Sequence, residues 1–134
     1  MATVFEMIRD GEIPSVKIYE YDLCFVILDL SPVNKGHALV ISKTAAPTFT
    51  EVEDATLHHM INVAKKVDQK MREKLGADGT NIMINNGPAS GQEVPHLHIH
   101  VIPRFFDDHK TFVFPSKEKY SEGEMQKYGD LLKL

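Results

Sequence analysis

The chain has 134 residues, 43% of them hydrophobic and 25% charged, which suits one soluble globular domain spanning 1–134. A formal net charge of −4 without a long basic run argues against a nucleic-acid-binding protein. The single cysteine, Cys24, excludes an intrachain disulfide framework and a cysteine-rich zinc site, so we expect a reducing, cytoplasmic setting. We expect neither a signal peptide nor a membrane partner, because no apolar stretch is long enough to cross a bilayer.

The first half of the chain predicts a short helix followed by three strands. Thr3 and Glu6 form a capping-box pattern before a helix over 4–10, which Gly11 ends. Turn-forming residues predict a loop over 31–36, before the third strand. The three strands are expected over 16–20, 23–29 and 37–42.

The second half predicts one long helix and two further strands. A second capping-box pattern, Thr50 with Glu53, opens a stretch of helical periodicity that ends at Gly76. Its apolar positions are Leu57, Ile61, Ala64, Val67, Met71 and Leu75. A strand is expected over 81–85, a glycine-bearing loop over 86–91 and a final short helix from about Ser121. A further strand, which follows the loop and contains histidines, is described next. Consecutive strands with one covering helix indicate an α+β fold with an antiparallel sheet.

The predicted strand that follows the glycine-bearing loop contains an alternating run of histidine and apolar residues. It reads His96-Leu97-His98-Ile99-His100 and continues with Val101. Side chains alternate between the two faces of a strand, so the three imidazoles share one face at intervals of roughly 6.5 Å. The apolar residues then face a core. Because imidazole can act as a nucleophile, proton carrier or metal ligand near neutral pH, this row indicates a reactive centre.

The residues before the histidine strand favour chemistry on an anion. A neutral imidazole attacks phosphorus or carbonyl centres when a hydrogen bond fixes its tautomer. Glycines in the preceding loop let backbone N–H groups approach a phosphate, and Asn85 and Gln92 add neutral donors at its ends. Alternating histidines also suit zinc or iron, so a metal-activated hydrolase remains an alternative.

The segment from Asn85 to His100 resembles the signature of the histidine triad nucleotide-binding proteins. Upstream pieces agree in order and spacing: Gly11–Ser15, Asp29 with Pro32, and Gly36–Ile41. The resemblance covers about residues 3–104 and leaves a tail, 105–134, outside. It implies a five-stranded antiparallel sheet with a long helix, assembled as a homodimer. It also implies hydrolysis or transfer at the α-phosphate of a nucleoside compound, usually a purine.

The resemblance also implies roles for individual residues. His98 matches the nucleophile that forms a nucleotidyl-histidine intermediate. His96 and His100 match its flanking partners, with His100 near the leaving group, and His37 matches a fourth histidine from a neighbouring strand. The remaining matches are to residues that contact the nucleotide. Asp29 matches the acidic residue that binds the ribose hydroxyls, with Leu30 as its apolar neighbour, and the phosphate contacts are matched by Asn85, Gly91 and Gln92. The apolar pocket for the base is matched by Phe5, Ile8 and Ile13, which could equally be core residues.

Three departures from the family pattern qualify these roles. Thr3 and Glu6 stand where many relatives carry two zinc-binding cysteines, so we expect the family zinc site to be absent and the helix cap to replace it. Glu93 stands where several relatives contact phosphate through Ser or Thr, so we expect its carboxylate to turn outward and only its N–H to serve the site. The third position agrees with one branch of the family: His100 stands where transferase relatives tend to carry glutamine, so it matches the hydrolases and favours water as the final acceptor.

The sequence therefore predicts a hydrolase of purine nucleoside phosphoramidates or dinucleoside polyphosphates that releases a nucleoside monophosphate. No cofactor is required, although Mg²⁺ can accompany a polyphosphate. The alternatives are the metal-dependent hydrolase and a nucleotide-binding interaction protein with little turnover. The four phenylalanines of the tail are interpreted as packing residues: Phe105, Phe106, Phe112 and Phe114.

Overall fold

The computed structural model describes residues 2–134 and shows a five-stranded antiparallel sheet with three α-helices. The strands are β1 (Lys17–Glu20), β2 (Cys24–Leu28), β3 (Ala38–Ser42), β4 (Gly79–Met83) and β5 (His98–Arg104). The helices are α1 (Val4–Arg9), α2 (Asp54–Leu75) and α3 (Glu124–Leu132). The strands lie in the order β1-β2-β3-β5-β4, which confirms the predicted α+β class and antiparallel sheet.

The alternation in β5 divides the two faces of the sheet. Leu97, Ile99 and Val101 are buried and pack toward α2, together with buried residues of β2 and β3. The opposite face carries the histidines and a second apolar cluster that α1 covers through Phe5 and Ile8. The histidine face is therefore an inner surface, shielded by the N-terminal helix.

The long helix confirms the predicted C-terminal stop and part of the predicted apolar stripe, but not the predicted start. Ala64, Val67 and Met71 are buried as predicted, whereas Ile61 and Leu75 are each 47% exposed. The face that packs on the sheet instead includes Met60 and Val63. Gly76 adopts a left-handed conformation with φ 66° and caps α2, as glycine commonly does at this position. The capping box expected from Thr50 and Glu53 is wrong, because α2 begins at Asp54 and its N-cap, Glu53, makes no side-chain capping bond. The preceding turn is held elsewhere: the Phe49 N–H donates to Asn86 Oδ1 at 2.9 Å.

Two strand boundaries differ from the predictions because pairing with a neighbour decides them. The predicted strand over 81–85 is Gly79–Met83, which pairs with β5 from Gly79 opposite Arg104 to Met83 opposite His100. Asn85 consequently lies in the loop beyond the strand. The strand β5 begins at His98, since the His96 N–H closes a turn on the Val94 carbonyl.

The tail leaves the domain after an ion pair between Arg104 and Asp108, 2.8 Å apart. No residue of α3 is buried, although the helix itself is present close to where the sequence places it. The packing interpretation is wrong for Phe106 and Phe114, which are 94% and 86% exposed, whereas Phe105 packs against the core. Within residues 2–134 there is no helix of the length and hydropathy needed to cross a bilayer.

We expect Gly36→Ala to destabilise the protein more than Gly76→Ala. Both glycines have positive φ, which costs an alanine about 1–2 kcal/mol. A Cβ at Gly36 would also lie 2.7 Å from Leu75 Cδ1, whereas nothing lies within 4 Å of a Cβ at Gly76. Urea unfolding of the two variants tests this difference. Equal losses would show that Leu75 moves aside without cost.

Candidate active site

A cavity of about 360 Å³ opens on the histidine face of the sheet. It lies between the end of β2, the centre of β5, the loop before β5 and the N-terminal helix. Its walls are Phe5, Asp29, Val33, His37, Leu39, Met83, Asn85, Gly91, Gln92, Glu93, Val94, His98, His100, Ile102 and Phe112. The predicted site residues outside it are His96, Leu30, Ile8 and Ile13.

His98 is held in the tautomer that a nucleophile needs. Its Nδ1 lies 2.7 Å from the carbonyl oxygen of His96, which only accepts, so Nδ1 carries the proton. Burial lowers the pKa of His98, and the neutral ring therefore has its free lone pair on Nε2. The Phe5 ring packs edge-on against His98 with centroids 4.8 Å apart, which further restricts the imidazole.

A hydrogen-bonded chain fixes the tautomers of His37 and His100. The Val33 backbone N–H donates to His37 Nδ1 at 3.1 Å, so the His37 proton is on Nε2. This Nε2–H donates to His100 Nδ1 at 3.0 Å, which leaves the His100 proton on Nε2. Burial, together with His98 and His37, lowers the pKa of His100 to about 4. At neutral pH His100 is thus a neutral donor.

Asp29 lies beside this chain without forming an ion pair with it. Its Oδ2 is 3.7 Å from His37 Nε2, and its Oδ1 accepts from the Ser31 N–H at 2.9 Å. Burial lowers the pKa of His37 in spite of the nearby carboxylate, so His37 is uncharged near neutral pH. The Asp29 carboxylate can therefore accept hydrogen bonds from a ligand in the cavity, as a ribose contact requires. Its neighbour Leu30 is 90% exposed and points away.

His96 is buried behind the cavity and does not line it. Its Nε2 donates to the Ser42 carbonyl at 2.6 Å, and its Nδ1 accepts from the Thr3 hydroxyl at 2.9 Å. Burial lowers the pKa of His96, so the ring is neutral, and both of its nitrogens form hydrogen bonds within the protein. The structure thus places His96 as the support of His98, whose Nδ1 proton its carbonyl accepts.

The loop before β5 presents backbone to the cavity. Gly87 and Gly91 have φ values of 87° and 96°, which glycine adopts readily. The Gln92 side chain accepts from the Gly87 N–H at 2.7 Å and donates to the Pro47 carbonyl at 2.7 Å. The Gln92 amide thus closes the loop, and within residues 2–134 the backbone N–H groups of Gln92 and Glu93 donate to no protein acceptor. These two N–H groups suit an anion.

Several wall residues are additions to the sequence-predicted set. Leu39 pairs with His100 across β3 and β5, and Ile102 follows His100 by two residues, so strand periodicity could have identified both. Phe112 belongs to the tail, where no sequence signal marks it. Its ring packs against the Arg104 guanidinium at 5.1 Å, which holds it at the cavity mouth.

Comparison with known proteins places the chain in a family. A family model for the HIT domain matches residues 10–107. An uncharacterized HIT-like protein of Methanocaldococcus jannaschii is 42% identical over 111 residues, covering 83% of this chain and 85% of that protein. A solved HIT family protein of Bacillus subtilis superposes with a TM-score of 0.88 at 30% identity, covering 98% of this chain and 95% of that one.

Two relatives carry enzyme names. The adenylylsulfatase HINT3 of Arabidopsis thaliana is 40% identical over 101 residues, 75% of this chain but only 51% of that protein. The adenosine 5'-monophosphoramidase hnt1 of Schizosaccharomyces pombe is 38% identical over 104 residues, 78% of this chain and 75% of that protein.

We expect the stability of the protein to fall as the pH drops below about 6.5, where histidines of the unfolded chain take up protons. Burial lowers the pKa of His37, His96, His98 and His100 in the fold, so the unfolded chain binds more protons between pH 7 and 5. Urea unfolding across this range measures the slope. His96→Asn should flatten it, and stability that rose on acidification would contradict this account.

Proposed function

Because the chain belongs to the histidine triad family, we propose that it is a nucleotide hydrolase acting through a covalent nucleotidyl-His98 intermediate. The observation that carries this proposal is the pair of fixed tautomers on one wall of the cavity. His98 has a free Nε2 lone pair beside His100, whose Nε2 bears a proton, and the two ring centroids are 5.0 Å apart. A nucleophile and a proton donor therefore stand side by side.

In the first step His98 Nε2 attacks the α-phosphorus of the bound nucleotide. The bond between phosphorus and the leaving group breaks, and the leaving group takes the Nε2 proton of His100. A proton from solvent replaces it, so that His100 stays neutral. The His96 carbonyl accepts the Nδ1–H of His98 and stabilises the positive charge that develops on the ring. We assign the backbone N–H groups of Gln92 and Glu93 to the phosphate oxygens, because both residues line the cavity and neither N–H has a protein acceptor within residues 2–134.

In the second step water attacks the same phosphorus. The water hydroxyl joins phosphorus as the bond to His98 Nε2 breaks, and the remaining water proton is released to solvent, which balances the proton taken up in the first step. Nucleoside monophosphate leaves, and the neutral His98 is regenerated with its Nδ1–H still bonded to His96. His100 thus acts as the donor of the first step, and water is the final acceptor of the nucleotidyl group.

The proposed substrates are purine nucleoside phosphoramidates or dinucleoside polyphosphates. The names of the Schizosaccharomyces pombe and Arabidopsis thaliana relatives support an adenylyl compound with a labile bond at the α-phosphate. We assign Asp29 to the ribose hydroxyls and Phe5 to the base because both line the cavity, whereas Ile8 and Ile13 lie outside it and pack in the same apolar cluster as Phe5. The scheme needs no metal bound to protein, and Mg²⁺ can accompany a polyphosphate. A cytoplasmic location is part of this proposal.

One observation bears on the metal-dependent alternative. Asp29, His37 and His100 offer donor atoms that lie within 4.8 Å of one another. A metal on His37 Nε2 would need the lone pair there, which would move the ring proton to Nδ1 and against the Val33 N–H. Metal binding would therefore break a hydrogen bond of the fold. This conflict favours direct attack by His98.

Intact-protein mass spectrometry after brief mixing with adenosine phosphoramidate tests the proposal. We expect metal-stripped wild type to gain one adenylyl group and release AMP, and His98→Ala to show no adduct and a turnover lower by roughly 10³-fold or more. His109→Ala, outside the cavity, is the matched control and should behave as wild type.

Other outcomes would contradict the proposed chemistry in distinguishable ways. Turnover that appears only on adding zinc or manganese, without an adduct, would support the metal-dependent hydrolase. Nucleotide binding that survives His98→Ala, with neither adduct nor AMP in wild type, would support an interaction protein.

We also propose that the protein is a homodimer paired through β4. This strand pairs with β5 on one side only, and the side chains of Ile82 on β4 and Ile61 on α2 are 49% and 47% exposed. An open strand edge beside exposed aliphatic residues suits pairing with a second copy. The exposed apolar side chains of the tail add surface that a second copy could cover.

We expect Ile82→Asp to yield a monomer in sedimentation velocity where the wild type sediments as a dimer, because it places a charge in the proposed seam. Ile18→Asp on β1, the opposite edge of the sheet, is 51% exposed in the wild type and is the control. A monomeric wild type, or dissociation by Ile18→Asp alone, would overturn the proposed interface.

A further inference from the structure

The N-terminal helix is connected to the proposed nucleophile by a continuous series of hydrogen bonds. The Glu6 carboxylate accepts from the Thr3 N–H at 3.0 Å, and the Glu6 N–H donates to Thr3 Oγ1 at 3.2 Å. Thr3 Oγ1 accepts once in this capping box, and its proton is donated to His96 Nδ1, 2.9 Å away, because the Ser42 carbonyl fixes the His96 proton on Nε2. His96 in turn supports His98 through its carbonyl.

The Thr3 hydroxyl is the donor that satisfies the unprotonated nitrogen of the buried His96 ring. It donates to Nδ1, while the Ser42 carbonyl accepts from Nε2 at 2.6 Å. His96 has no exposed surface, and reversing its protonation would leave two acceptors facing each other at Ser42. The ring, its backbone and the carbonyl that orients His98 are therefore held together.

The same helix also contacts the nucleophile directly. Phe5 is buried, and its ring packs edge-on against both His96 and His98, with centroid separations of 5.7 and 4.8 Å. The matched HIT domain begins at residue 10, after the last residue of α1. The N-terminal helix, which contacts His96 and His98, thus lies outside the part of the chain matched by the family model.

We propose that Thr3 is a positioning residue, which holds the buried His96 ring and, through the His96 carbonyl, the placement of His98. Thr3 does not line the cavity, so it contributes to the rate of attack and not to nucleotide binding. The kinetic part of this inference rests on the proposed function. The part that concerns the hydrogen bond to His96 Nδ1 does not.

The test compares Thr3→Val, Thr3→Ser and Glu6→Ala in the full chain. Valine keeps the shape and removes the hydroxyl, serine keeps the hydroxyl, and Glu6→Ala weakens the helix cap while leaving the bond to His96. Long-range ¹H–¹⁵N spectra of the histidine rings report tautomers without any substrate. Turnover of adenosine phosphoramidate gives kcat and KM separately.

We expect Thr3→Val to shift the ¹⁵N resonance of His96 Nδ1, which loses its hydrogen-bond donor, and to lower kcat roughly 10- to 100-fold with KM unchanged, because small displacements of a reacting group cost that much. Thr3→Ser should restore both readouts, and Glu6→Ala should lose stability but keep both. Wild-type ring resonances and kcat in Thr3→Val would overturn the proposal, as would equal losses in Glu6→Ala. Absence of turnover in wild type would contradict the proposed function alone, and the spectra would still decide the role of Thr3.

Discussion

The register between β3 and β5 is the constraint on which the site depends. Pairing sets Leu39 opposite His100 and Ala38 opposite Val101, so His37, just before β3, lies diagonally across from His100. A shift of one residue would turn every histidine toward α2 and every aliphatic residue toward the cavity. The buried apolar residues that β5 directs toward α2 prevent this shift. The free energy that stabilises the core thus also aligns the imidazoles.

Burial and hydrogen bonding then act together on the chemistry of the four histidines. Removal from water disfavours the charged imidazolium, which keeps the rings neutral, while backbone groups select which nitrogen holds the proton. The Val33 N–H and the His96 carbonyl make these selections at the two ends of the row. Because both are main-chain groups, the tautomers of His37 and His98 depend on the course of the backbone, whereas the tautomer of His100 follows from the His37 ring.

Much of this arrangement could be predicted from local pattern. The period of two in β5, the C-terminal stop of α2 and the glycines of the loop each follow from local backbone geometry, and the structure confirms them. The buried face of α2 could be predicted only in part, because contact with the sheet decides that Met60 and Val63 are buried and Ile61 is not. Features that depend on partners distant in sequence could not be read this way. The offset of β4 is set by pairing with β5, and the placement of Phe112 is set by Arg104. Thr3 was identified as a helix cap, but its bond to His96 spans 93 positions.

The charges on the cavity wall bear on how nucleotide affinity would depend on ionic strength. Among its lining residues there is no lysine or arginine, and Asp29 and Glu93 carry the only carboxylates. Phosphate would therefore be bound by neutral donors at short range, and screening by salt weakens such contacts far less than it weakens attraction between separated charges. Nucleotide affinity should then vary little between dilute and concentrated salt. In the proposed reaction the monophosphate product would gain negative charge beside the Asp29 carboxylate, and this repulsion would favour its departure.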